Sequence, residues 1–525
     1  MNLNFKLQLI KTLVLTEARL RLRRLSTLVV LLAVIAISWA MIPDPNSDMT
    51  MMAIEEARVL YTSSLLSFGT ASLASMLFGI AGFYLVRGRI AEDLRSGNGS
   101  VIGATQVGNG IFLFSRWLGG VLYLLTLVAG LLGTTLVCHL LRGDGPIQLL
   151  VYLQTYSLLL LPTVFFVVSC AILFDSVAGL MGKAGDLIYF MVWMAQMALM
   201  AIMDESIKIG LNPLLLLDFM GLATGMINLK MVLLTDHLSL GVSTFDAKLP
   251  TITLANALWS MQIIWWRCAT AVIALLPLLP AIFFFHRYSP DRVKLSSTRK
   301  RRSPLDIINA WSRPLAKLVQ PLFRLSASVP GLAGRIMADI ALSLVTSPSA
   351  ILVLVVVLLA SMFSSVHNLS GVLIAAVVFW GVMISDISTR DFQANTEELT
   401  GAVPGGIVQR YLRQFTSAAV LGSMFMGVIA LRWSFVEPVR AAALISGVLS
   451  LSALATLFGR CSGTARTFLA LFLFGVYVAL NVTKEAVVDV VGFNGVANLG
   501  SIQIQLAIAV ISLAAGYLYN RQRAH

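Results

Sequence analysis

The sequence predicts an all-α polytopic membrane protein of about twelve transmembrane helices, built as two six-helix repeats with an amphipathic helix before each half. Three observations predict it. Of 525 residues, 58% are hydrophobic and 12% charged, with a mean hydropathy of +0.86; a soluble domain carries roughly 25% charged residues. The apolar residues gather in runs of the length that crosses a bilayer, about 20 residues of helix. A basic stretch near the middle, HRYSPDRVKLSSTRKRRS, separates two such sets of runs.

Twelve spans follow from the hydropathy: 25–42, 62–86, 112–141, 147–174, 187–203, 264–285, 349–364, 370–388, 417–433, 439–458, 467–482 and 502–520. Cytoplasmic loops of membrane proteins carry an excess of Lys and Arg. With the N-terminus inside, 29 of the 38 Lys and Arg fall on the cytoplasmic side, Arg116 included, and nine outside. Both termini are therefore expected in the cytoplasm, in a multi-pass protein of the bacterial inner membrane. The same asymmetry accounts for most of the net charge of +13, so the charge is assigned to topology and not to nucleic acid. Residues 1–24 are long, basic and amphipathic, unlike the short charged head of a cleavable signal peptide.

The domain division expected is 1–285 for the first half, 286–348 for a cytoplasmic basic linker with its amphipathic entry helix, and 349–525 for the second half. The densest basic run, Arg299 to Arg302, suits a linker beside anionic lipid headgroups.

The halves read as a degenerate parallel repeat. Glu17, Leu20 and Leu22 stand before the first span, and Asp339, Leu342 and Leu344 stand at the same offsets before the seventh. After span two the chain runs through Gly103 and Gly108 to Arg116; after span eight it runs through Gly401, Pro404, Gly405 and Gly406 to Arg413. Aligning Arg116 with Arg413 also pairs Gly108 with Gly405.

Catalytic patterns are missing from the sequence. It has no GxxxxGK[ST] phosphate cradle and no HExxH pair, and its four cysteines form no CxxC. No metal and no cofactor is expected in this chain. Acidic residues within the spans are scarce and lie near span ends, as Asp386 does, which argues against ion coupling. Met191, Met194, Met197, Met200 and Met203 recur at every third residue. Their thioethers could suit Cu(I), but a period of three drifts around a helix of 3.6 residues per turn, and methionine commonly fills apolar gaps.

Two loops stand out instead. One carries Arg87, Glu92, Asp93 and Gly97 into the first glycine segment; the other carries Arg390, Glu397, Glu398 and Gly401 into the second. Each is a charged short helix, a Gly or Pro break and a basic span entrance. An amphipathic helix before span one, these acidic and glycine-rich loops, and an apolar outer segment before span six resemble the type-2 ABC exporter permeases. The resemblance covers the layout of nearly the whole chain, and its motifs cover about 40 residues.

In that family the loop between spans two and three carries the coupling helix that touches the ATPase. The resemblance places coupling at Glu92, Asp93, Gly97, Gly103 and Gly108, and at Glu397, Glu398, Gly401, Pro404 and Gly405. Val107 stands where the second loop has Pro404, so the first coupling loop departs from the pattern. The resemblance further implies two ATP-binding partner subunits holding ATP and Mg, an exporter activity without catalysis in this chain, and contact with accessory periplasmic or membrane proteins. It implies short re-entrant or interfacial helices in the outer segment, about 204–262, with Trp259, Trp265 and Trp266 in an interfacial belt. A major facilitator-type transporter also has six plus six spans, but its short basic, glycine-rich loop after span two is not found here.

Overall fold

The computed structural model describes residues 3–45, 49–54, 57–204, 212–233, 235, 238–244, 250–256, 258–285, 288, 311–394, 396–402, 406–483 and 485–523. The chain is a polytopic membrane protein, largely helical, and it divides into two compact units, Met1–Arg301 and Arg302–His525. Among the described residues eight helices are long and apolar enough to cross a membrane, or nine if one bent pair counts as a single span.

In the first unit α1 (Leu3–Leu22) leads into α2 (Leu25–Ala40). A β-hairpin of β1 (Met49–Ile54) and β2 (Ala57–Val59) follows, then α3 (Ser63–Val86). Two short helices, α4 (Arg89–Arg95) and α5 (Asn98–Ala104), come before the long α6 (Asn109–Arg142) and α7 (Leu149–Ser176). The unit continues with α8 (Lys183–Asp204), α9 (Leu222–Leu233), strands β3 (Leu238–Thr244) and β4 (Thr251–Ile252), and a broken sixth span made of α10 (Met261–Ile273) and α11 (Leu278–Phe284). Pro277 cannot donate a backbone N–H, which is why the helix breaks between Ile273 and Leu278.

The second unit opens with a 3-10 segment at Arg313–Val319 and α12 (Gln320–Ser328). Then come α13 (Gly331–Thr346), α14 (Ser349–Phe363) and α15 (Leu369–Ile384). The short α16 (Arg390–Gln393) and α17 (Glu397–Gly401) precede α18 (Gly406–Val436), α19 (Pro438–Ser462), α20 (Ala465–Asn481) and α21 (Leu499–Arg523). Of the segment read as a linker, 286–287 and 289–310 lie outside the described residues, and 311–348 is mostly helical and part of the second unit.

Every drawn span falls on a helix or, for the sixth, a helix pair. The ninth helix extends beyond the predicted 417–433: α18 begins at Gly406 because Arg410, Tyr411 and Gln414 recur on one buried face and carry the helix past its apolar part. The all-α prediction gains one small β element. The connections before α3 and before α10 pair into a four-stranded sheet of order β3-β1-β2-β4, antiparallel between β1 and both β2 and β3 and parallel between β2 and β4.

Packing in the first unit is dominated by α3, whose side chains are mostly buried, so it stands inside the unit and not at its lipid surface. Phe83 stacks on Tyr189 with ring centroids 3.5 Å apart, and Trp193 donates from its indole to the Met76 carbonyl at 3.1 Å. Met191 and Met200 are exposed while Met197 is buried, so the methionines of α8 do not share one face.

Candidate functional site at two helix-breaking loops

In the first unit the loop after α3 is held by buried ion pairs. Gly97 joins α4 to α5 with φ +75°, a left-handed turn that favours glycine. Asp93 on α4 is buried and pairs with Arg116 of α6. Tyr288 also donates its hydroxyl to the Asp93 carboxylate at 2.6 Å. Burial pushes the Tyr288 hydroxyl above its ordinary value of 10, which keeps it protonated as a donor. Asp93 was expected at a partner-facing surface. It is an internal tie, because a carboxylate this buried needs its charge and lone pairs satisfied within the chain.

Glu92, one residue before it, is half exposed and receives Arg24 at 2.5 Å and Arg89 at 2.8 Å. Arg89 also reaches Glu17 of α1 at 3.4 Å, and Glu17 pairs with Arg21 at 3.0 Å. Burial alone raises the Glu17 carboxyl, but the guanidiniums of Arg21, Arg116 and Arg89 outweigh it and hold the carboxyl below its usual 4.5. Arg21, Arg89, Arg116 and Asp175 line a cavity of about 10 Å³, room for about one water molecule. Arg87, at the end of α3, pairs with Asp175 and Asp186 at the facing ends of α7 and α8. Gly103 lies within α5 and Gly108 caps the start of α6.

In the second unit, too, the loop is held by ion pairs. Asp339 of α13 pairs with Arg413 of α18 at 2.7 Å. Arg390, opening α16, reaches Ser343 of α13 at 2.7 Å and Asp386 at 3.0 Å. Glu397 lies between two arginines: Arg410 of α18 at 3.3 Å, and Arg460 at the end of α19. The Arg410 guanidinium also donates to the Glu397 carbonyl at 3.0 Å. Glu397, too, is engaged within the chain. Glu398 is exposed and Gly401 closes α17; Pro404 and Gly405 lie outside the described residues.

One feature common to both loops was not singled out in the sequence. Each short helix carries an outward apolar side chain: Val101 on α5 is 68% exposed and Leu399 on α17 is 75% exposed. Single exposed apolar residues are ordinary on a protein surface; here each stands on a short helix in a loop tied by ion pairs to the long helix that follows it, α6 or α18.

At the opposite ends of the helices, sequence reasoning missed Arg267. Pro162 inside α7 has no N–H, so the Leu158 carbonyl four residues back loses its helical donor. The Arg267 Nε of α10 takes that place at 2.9 Å, and its Nη1 donates to the Asp218 carbonyl. Asp218 is buried and accepts from the Gly221 N–H at 2.8 Å and the Thr224 N–H at 2.7 Å, capping α9. The connection between α20 and α21 in the second unit is organised similarly. Asp489 accepts from the N–H of Asn494 at 3.2 Å and of Val496 at 3.3 Å, and Arg440 donates to the carbonyls of Gly492 and Phe493 at 2.6 and 2.8 Å. The available signal was a proline and an arginine inside otherwise apolar runs.

Among the described residues no group of His, Cys, Asp and Glu converges on a metal-binding arrangement. Comparison with known protein families, with characterised proteins and with solved structures finds no match.

Proposed function

We propose that this chain is the membrane-spanning permease of an ATP-driven exporter in a bacterial inner membrane, with twelve spans, a duplicated six-helix plan and both termini cytoplasmic. The observation that carries the reading is the pair of loops. In each unit a loop bearing a short helix with an exposed apolar residue is tied by ion pairs to the long helix that follows it, and an amphipathic entry helix supplies a carboxylate to the same polar layer. Glu17 and Asp339 stand before the first and seventh spans with leucines at the same offsets, and Arg116 and Arg413 each follow a glycine segment, which supports duplication. An ATPase subunit pressing on Val101 or Leu399 would move α6 or α18 through the Asp93–Arg116 and Glu397–Arg410 pairs. The acidic residues thus transmit within the chain, and the apolar residues, with exposed Glu398, meet the partner. In the outer connection, Asp218 and Arg267 hold a re-entrant segment against α7 that would close the exit.

The test is reconstitution. The purified chain alone should hydrolyse no ATP, since it carries no phosphate cradle. Adding two copies of its ATP-binding subunit should give hydrolysis linked to transport. ATP turnover by a preparation free of other chains would overturn the proposal, as would transport driven by an ion gradient without ATP.

A further inference from the structure

We infer that residues 311–328 form a binding element for anionic phospholipid headgroups. This goes beyond the permease reading and does not depend on it, since it needs only that the chain spans a bilayer. The segment WSRPLAKLVQPLFRLSAS carries Arg313, Lys317 and Arg324 and no acidic residue. No residue of α12 is buried. Trp311 is 84% exposed, Leu318 66% and Leu325 54%, a concentration of large apolar side chains that water alone would not favour.

Helical geometry sorts these residues. At 3.6 residues per turn, Leu322, Phe323 and Leu325 share one side of α12, while Gln320, Arg324 and Ser328 lie on the other. An apolar face with a cation opposite it suits the headgroup boundary, where such helices insert by about 5–10 Å.

The placement of α12 favours lipid over a protein partner. The next helix, α13, meets α14 at 102°. Leu352, Val355, Val356 and Leu359 of α14 are exposed, as a lipid-facing helix requires. With α14 upright in the bilayer, α13 lies nearly along the surface. Helix α12 is fastened to it: a Cβ at Gly334 would collide with the Ser326 carbonyl oxygen of α12, so the two backbones touch and leave no room for a side chain. The exposed apolar and basic residues are therefore held beside a surface whose anionic lipids complement them. Helix α13 also carries Asp339 and Ser343, the partners of Arg413 and Arg390, so lipid held by α12 bears on the second loop.

The test uses the full chain in nanodiscs of phosphatidylcholine, with or without a third of phosphatidylglycerol. Exposed Cys268 and Cys461 are replaced by serine, and Leu318→Cys is labelled with an environment-sensitive fluorophore. In anionic discs the emission should shift to the blue and be quenched by brominated lipid, and added salt should reverse the effect. Arg313→Gln with Lys317→Gln and Arg324→Gln should weaken this occupancy on the order of a hundredfold, from the typical contribution of each cation near such a surface. Arg313→Lys with Arg324→Lys should retain it. A probe that stays in water in anionic discs overturns the inference. So does one shielded equally in both discs, or one shielded only when another protein is added. If the triple variant fails to fold, the contrast between the two disc compositions decides alone.

Discussion

The two loops use one plan and stabilise it differently. In the first, Asp93 is buried between Arg116 and Tyr288, and Glu92 stands outside as a half-exposed partner of Arg24 and Arg89. In the second, Glu397 takes two arginines from two long helices and keeps part of its side chain in contact with solvent. The first loop is a sealed joint, and the second is a more open one. Acidic residues that look alike in sequence thus divide into internal ties and surface groups, according to which arginines the helices bring near.

The largest effect should come from breaking the sealed joint. Asp93→Ala leaves the Arg116 charge buried without its partner and should cost about 3–5 kcal/mol, read as a lower melting temperature in detergent. A loss below about 1 kcal/mol would remove the distinction between the loops.

Glu397→Gln should cost less, about 2 kcal/mol, since an amide still accepts a hydrogen bond from Arg410 or Arg460 while losing the charge. Glu92→Gln, at a half-exposed site, should change stability by less than about 1 kcal/mol. If Glu92→Gln proved more damaging than Glu397→Gln, the assignment of internal and surface roles would be reversed.

The entry helices should differ in the sign of their pH response. Glu17 sits below its ordinary 4.5, so its stabilisation is present above 4.5 and is lost as the pH falls through the lower folded value. Asp339 is raised above 3.8, because burial outweighs the pull of Arg413 and Arg390. Its favourable contribution is present below 3.8 and is lost as the pH rises through the folded value. Glu17→Gln should therefore lower the melting temperature at neutral pH and flatten the decline on acidification. Asp339→Asn should leave the neutral melting temperature nearly unchanged or raise it. Equal losses for both variants at neutral pH would contradict this difference.

The helical frame was legible because a bilayer demands long apolar runs: the predicted spans fall on helices, and among the described residues eight of these, or nine with the bent pair, are long and apolar enough to cross a membrane. Glu17, Asp339, Arg116 and Arg413 were legible as charged groups beside apolar spans, and each of the four takes part in an ion pair. The sheet was not, since β1 pairs with β3 across nearly two hundred intervening residues and no local rule specifies such a pairing. One trace of it was present: Leu238, Leu240 and Val242 alternate with Ser239, Gly241 and Ser243, the period of a strand. The engagement of Asp93 and Glu397 was not legible either, because a charged residue on a short helix reads the same whether an arginine from another helix reaches it or water does.

The most direct test of the permease reading is Leu399→Asp. Leu399 is exposed, so the change should leave the melting temperature within about 0.5 kcal/mol equivalent of wild type. At a docking surface it would place a desolvated carboxylate against the ATP-binding subunit, at a cost of several kcal/mol. The expected result is loss of ATPase co-purification and of transport-linked hydrolysis, with a smaller loss for Val101→Asp. Wild-type co-purification and hydrolysis in the Leu399→Asp protein would contradict the proposal that this loop couples the chain to an ATPase.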